Sequence, residues 1–162
     1  MTKKQIILAI LFALAAIIIT VIYLFSMQSG TDSNAESGII VKLVRPIIDP
    51  EGKMTETELQ YIVRKTAHFT EYFILGAVLS AIALIIAEKF PTPWIFMSLF
   101  FTLLTAVTDE FIQSFVERTS LVSDVVLDFY GCMGAHIIAV AVYFIIRAVK
   151  KRKIKADRID TL

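Results

Sequence analysis

A single cysteine, Cys132, in a chain of 162 residues excludes an intrachain disulfide and leaves no thiolate-based metal centre. Only two histidines are present, His68 and His136, and no His-Glu-x-x-His occurs, which argues against zinc. No serine lies in an elbow-type motif, so a Ser/His/Asp hydrolase has little support. A marked excess of one sign of charge is also lacking: the formal net charge is +1, and nothing suggests a nucleic-acid partner. Prolines number four, and there is no internal repeat or low-complexity tract. What is abundant is apolar surface. Apolar residues make up 57% of the chain and fall into long blocks, which selects a membrane protein of one domain, residues 1–162.

The blocks predict an all-α membrane protein, a four-transmembrane-helix bundle with a short amphipathic helix in the first outer loop. Spans are expected at about 5–25, 62–87, 94–116 and 121–146, followed by a basic tail over 147–162. Residues 5–25 carry no charge and exceed the apolar core of a signal peptide, so they are taken as a retained span. In the connection 26–61, Ser33-x-x-Glu36 and Thr55-x-x-Glu58 have capping-box spacing. Between them Ile39, Ile40, Leu43, Val44, Ile47 and Ile48 recur at helical period, which predicts a helix on the membrane surface, broken at 49–52. The helix beginning at Thr55 should run without interruption into the second span. Tight turns are expected at 88–93, with Trp94 as an interfacial anchor, and at 117–120. Lys3, Lys4, Lys89 and the basic residues of the tail share one side, so the positive-inside rule places both termini in the cytoplasm of a bacterial plasma membrane. The tail itself suits topology and anionic-lipid contact.

Against this apolar background the polar residues stand out. The second span carries Arg64, Lys65, His68, Glu71 and Tyr72 within a stripe of roughly 120°. The third places Asp109, Glu110, Gln113 and Glu117 within roughly 100°. The fourth has Asp124 and Asp128 one turn apart, with Gly131 and Ala135 continuing a face that lets another helix approach. Glu71, Asp109 and Asp128 lie about 12–14 Å from their outer span boundaries at 1.5 Å per residue, so the three faces meet at one depth. A carboxylate at mid-membrane costs about 2.5–3.5 kcal/mol on insertion scales, and such groups default to function. Carboxylates outnumber the nearby cations. The excess must be protonated, hydrated, or neutralised by a cation, a metal or a substrate amine. Arg64 and Lys65 are expected to pair with Asp109, Glu110, Asp124 or Asp128. Ion pairs that merely hold the helices together are the plainer alternative. His136 reads as a core histidine bonded to a neighbour, and Thr102 and Thr105 as residues bonding back to their own helix.

The ordered set Arg64-Lys65-x-x-His68-Phe69-x-Glu71-Tyr72-x-x-Leu75-Gly76, Asp109-Glu110-x-x-Gln113, Arg118 and Asp124-x-x-x-Asp128-x-x-Gly131 resembles the VanZ-like family, as does Ser26-Met-Gln-Ser-Gly30. The resemblance runs from Ser26 to about Gly134. It implies a bacterial envelope protein connected with resistance to teicoplanin and related lipoglycopeptides, a context and not a reaction. Two departures stand out: Val116-Glu117 replaces a Pro-Gly common in the family, and Asp128 stands where many members have Asn.

Three functions compete. The preferred one is binding of membrane lipids, a lipid-linked envelope precursor or a lipoglycopeptide through Arg64, Lys65, His68, Glu71, Tyr72, Asp109, Glu110, Gln113, Arg118, Asp124 and Asp128. The second is an intramembrane hydrolase or transferase with His68, Glu71, Asp109, Glu110, Asp124 and Asp128 as candidate acid–base groups. The third is a structural partner subunit. No cofactor or metal is expected; a metal variant would use His68, Glu71, Asp109 and Asp124 or Asp128, and would take an oxygen-preferring cation. A cavity beside His68 or a carboxylate separates the first two from the third, in which every charge is paired.

Overall fold

Thr2 and Thr55 each accept from the backbone N–H three residues on, while Gln5 and Glu58 reach back to the cap N–H, and two helices start there. The computed structural model describes residues 1–87, 91–116 and 118–159, with 154–159 by backbone only. Its helices are α1 (Lys3–Ser26), α2 (Gly30–Ile48), α3 (Glu56–Ile86), α4 (Thr92–Gln113) and α5 (Val122–Ile159), and no strand occurs among the described residues. Four of them, all except α2, are long and apolar enough to cross a membrane. Their outward faces carry Ile10, Ile17, Phe96, Phe100, Phe111 and Ile137, all exposed. A water-soluble domain does not present apolar surface on that scale, whereas a lipid-facing bundle must.

The bundle alternates in direction. At one end the last turn of α1 meets the last turns of α4, through Ser26 and Asp109, and the first turns of α3 meet those of α5, through Lys65 and Asp124. Toward the other end Ser98 of α4 bonds His136 of α5 at 2.5 Å, and His136 also lies 3.0 Å from the Cys132 carbonyl. His136 is thus a bonded core histidine. Thr102 and Thr105 donate to the carbonyls of Ser98 and Phe101, one turn back.

α3 runs through the centre and touches every other helix. Its closest approach is to α5, where a Cβ on Gly76 would lie 2.8 Å from the Cys132 backbone and one on Gly131 would lie 2.5 Å from the Phe69 carbonyl oxygen. Glycine on each side is what permits this crossing. α3 has 31 residues, about 46 Å at 1.5 Å per residue, against a hydrocarbon core of about 30 Å.

Two boundaries differ from the sequence-based expectation. α2 starts at Gly30, capped by Ser29, so Ser33-x-x-Glu36 lies inside the helix and caps nothing. Ser29 wins because its hydroxyl already accepts from the Asp32 N–H, four residues before the next candidate cap. At the far end α5 continues through the basic segment to Ile159 as one helix. Lys and Arg are good helix formers, and no Pro or Gly interrupts 147–159.

The break after α2 falls where it was expected. Asp49 is buried and its carboxylate accepts from the N–H groups of Lys53 and Met54, while Gly52 has φ 67°, a value that favours glycine. This returns the chain so that Val41 and Val44 of α2 pack on Leu59 and Val63 of α3. The other side of α2 leaves Ile39, Leu43 and Ile47 exposed. Of the expected turns, 88–90 and Glu117 lie outside the described residues, as do 160–162 of the tail.

Candidate functional site

Asp109 occupies the point where α1, α3, α4 and α5 converge. It is fully buried. One carboxylate oxygen accepts from the Ser26 hydroxyl and from Gln113 Nε2 at 3.4 Å; the other accepts from the Tyr72 hydroxyl at 3.2 Å. The placement follows from helical period: Asp109 and Gln113 are one turn apart on α4, and Tyr72 lies one turn beyond His68 on α3. His68 Nδ1 is 3.8 Å from Asp109 Oδ2 and 3.8 Å from Asp128 Oδ1. That is beyond hydrogen-bond length. His68 Nδ1 and both Asp128 carboxylate oxygens are buried with no hydrogen-bond partner among the described residues.

Glu110, next to Asp109 in sequence, points elsewhere because adjacent helical residues are about 100° apart. Its Oε2 accepts from the Leu121 N–H at 2.9 Å, fastening the segment that leads into α5. Lys65 is ion-paired with Asp124 in the first turn of α5, where a carboxylate is also favoured by the helix N-terminus.

Arg64 does not pair with a carboxylate, contrary to expectation. Its guanidinium donates to Asn34 Oδ1 of α2 at 3.0 Å. The cause is again the 100° step: Lys65 faces α5, which leaves Arg64 facing α2. Arg118 donates to the Phe25 carbonyl at 3.2 Å, a second donor beside the Gln28 N–H at the C-terminus of α1. Burial lowers the pKa of its guanidinium from the ordinary value. Among the described residues no carboxylate is in ion-pair contact with either arginine.

Two cavities adjoin this centre. One, of about 200 Å³, lies among α1, α2 and α3; its apolar wall includes Ile22, Phe25 and Ile40, and its polar wall Arg64, Glu71 and Arg118. The second, of about 320 Å³, is bounded by Asn34, Tyr61, Lys65, Gln113 and Asp124. Arg64, His68 and Arg118 line both. Glu71 is half-buried on the cavity wall, apart from the Asp109 network.

Two contributors, Phe25 of α1 and Asn34 of α2, were not among the residues singled out from sequence, and Ser26 of α1 was noted there only for the family resemblance. Ser26 carried a signal, as the first polar residue after the uncharged run and part of the Ser-Met-Gln-Ser-Gly segment. Asn34 carried none, because its contact depends on how α2 folds back over α3.

Fold and site together define an integral membrane four-helix bundle with a buried polar centre beside a cleft at one end. The chain belongs to the VanZ-like family: a family model described as VanZ/LLP1 matches residues 10–146. No curated protein and no solved structure matches it.

Proposed function

We propose that this VanZ-family membrane protein holds its cleft toward the outer face of the bacterial plasma membrane and binds there an anionic, lipid-linked envelope component. By occupying the same surface it also lowers sensitivity to the lipoglycopeptide teicoplanin. The observation that carries this reading is the pairing of Arg64 and Arg118, free of carboxylate contacts among the described residues, with an apolar wall in one cavity. Guanidinium groups suit phosphate or carboxylate, and the Ile22, Phe25 and Ile40 wall suits the adjoining chain of an amphiphile. The orientation is supported by Lys3 and Lys4 at the start of α1 and by Arg147, Lys150, Lys151, Arg152 and Lys153 far along α5, which belong to the end opposite the cleft.

Native mass spectrometry of gently solubilised protein tests the binding. Co-purified anionic lipid should be lost from the Arg64→Gln/Arg118→Gln double variant. Equal retention would sink the proposal.

An intramembrane hydrolase or transferase is the second reading. His68 borders both cavities and stands between Asp109 and Asp128, an acid–base set within reach of a bound head group.

A further inference from the structure

We propose that His68, Asp109 and Asp128 form a binding site for one divalent transition-metal cation of the Zn²⁺ or Mn²⁺ class. The inference does not rest on the lipid-binding reading above, and it departs from the metal-free site expected from sequence.

The three residues offer one imidazole nitrogen and two carboxylate oxygens, all within 4.8 Å of one another. Ligands about 2.0–2.2 Å from a shared ion lie about 2.8–3.6 Å apart at octahedral to tetrahedral angles. The 3.8 Å separations from His68 Nδ1 to each aspartate are a few tenths of an ångström from that range. They are too long for a direct hydrogen bond from Nδ1–H to either carboxylate.

Asp128 provides the independent observation. It is 0% exposed, neither of its oxygens has a hydrogen-bond partner among the described residues, and one of them is aimed at His68. A carboxylate in that state is very costly in a low-dielectric interior. Among the described residues no lysine or arginine is in ion-pair contact with Asp128: Lys65 pairs with Asp124, Arg64 bonds Asn34 and Arg118 bonds the Phe25 carbonyl. A divalent ion between Asp109 and Asp128 would balance both.

The remaining contacts fit a coordination sphere. The Tyr72 and Ser26 hydroxyls and Gln113 Nε2 donate to Asp109, the outer-shell bonding that orients a ligating carboxylate. His68 borders both cavities, so an ion has a route from the cleft. One nitrogen with two carboxylates favours Zn²⁺ or Mn²⁺ over Mg²⁺, which prefers oxygen and retains its waters. Cys132 and His136 lie in a separate cluster and contribute nothing here.

The test uses the full chain in mild detergent, stripped with EDTA, dialysed and titrated with Mn²⁺, Zn²⁺ or Mg²⁺ alone. One Mn²⁺ or Zn²⁺ should bind per chain, more tightly than Mg²⁺. Pulsed EPR of bound Mn²⁺ should show coupling to a directly ligated imidazole nitrogen, lost in His68→Gln. Asp128→Asn should weaken binding by more than about a hundredfold, beyond the usual effect of outer-shell changes. Glu51→Gln, an exposed acid, should leave it unchanged. Should Asp128→Asn fail to fold, the EPR spectrum of the unmutated protein decides the matter. Absence of stoichiometric binding, absence of nitrogen coupling, or equal affinity in a folded Asp128→Asn protein would each overturn the proposal.

Discussion

A β-carbon on Gly131 would lie 2.5 Å from the carbonyl oxygen of Phe69, so the backbones of α5 and α3 touch where they cross. The obstacle is main chain and cannot rotate aside. Gly131→Ala should therefore destabilise the protein by about 1–3 kcal/mol through overpacking. Gly134→Ala, three residues on, meets only the Phe73 ring at 3.8 Å, an ordinary contact. It should be neutral, or gain up to about 1 kcal/mol from the helix preference of alanine. Thermal unfolding followed with a thiol-reactive dye reads both, because the single cysteine, Cys132, is buried.

The ion pair of Lys65 with Asp124 predicts a contrast between adjacent residues. Lys65→Ala strands a carboxylate that is only 9% exposed and should cost about 2–3 kcal/mol, less than for a fully buried pair because Lys65 is itself partly exposed. Arg64→Ala removes one hydrogen bond to Asn34 and should cost about 1 kcal/mol. Adding Asp124→Asn to Lys65→Ala should restore much of the loss. Equal destabilisation by the two single variants, in the same unfolding assay, would refute this division of roles.

How much of this was legible in the sequence depends on what helical periodicity can say. Uninterrupted apolar runs placed the membrane helices, and the Thr55 capping box placed the start of α3. Residue count put Glu71, Asp109 and Asp128 at one depth; it is His68, nearly one turn earlier on the same stripe of α3, that stands between the two aspartates, while Glu71 lines the cavity. Periodicity could not assign partners. Arg64 and Lys65 share a stripe wide enough to face two different helices, as do Asp109 and Glu110, and the relative rotation of the helices decides which residue meets which. Ser26 escaped notice as a partner of Asp109 because a lone serine at a helix end has many other uses. The length of α2 was understated for a related reason: Ser29 and Ser33 both satisfy the local capping preference.

The proposed orientation predicts a labelling pattern. In a Cys132→Ser background, a cysteine at Lys53, exposed in the turn after α2, should react with an impermeant maleimide on intact cells. A cysteine at Lys150 on the exposed part of α5 should react only after lysis. Labelling of the Lys150 position from outside would place the cleft on the cytoplasmic side and remove the basis for extracellular ligand binding.

The functional proposal predicts a selective change in drug tolerance. Teicoplanin carries an acyl chain that holds it at the outer leaflet; vancomycin does not. Expression in a glycopeptide-sensitive Gram-positive host should therefore raise tolerance to teicoplanin much more than to vancomycin. If the cleft is responsible, the effect must depend on its charge and not on membrane insertion alone. The Arg64→Gln/Arg118→Gln double variant removes the two cationic groups shared by the cavities while leaving the apolar spans intact. At equal membrane abundance it should lose the added teicoplanin tolerance. His68→Gln separates anion binding from the buried centre: tolerance retained there but lost in the arginine variant would assign the effect to the arginines. Loss in both would tie it to the Asp109–His68–Asp128 centre as well. Full tolerance in the arginine variant would mean that the cleft does not recognise the drug or its lipid-linked target, and would favour the enzymatic reading.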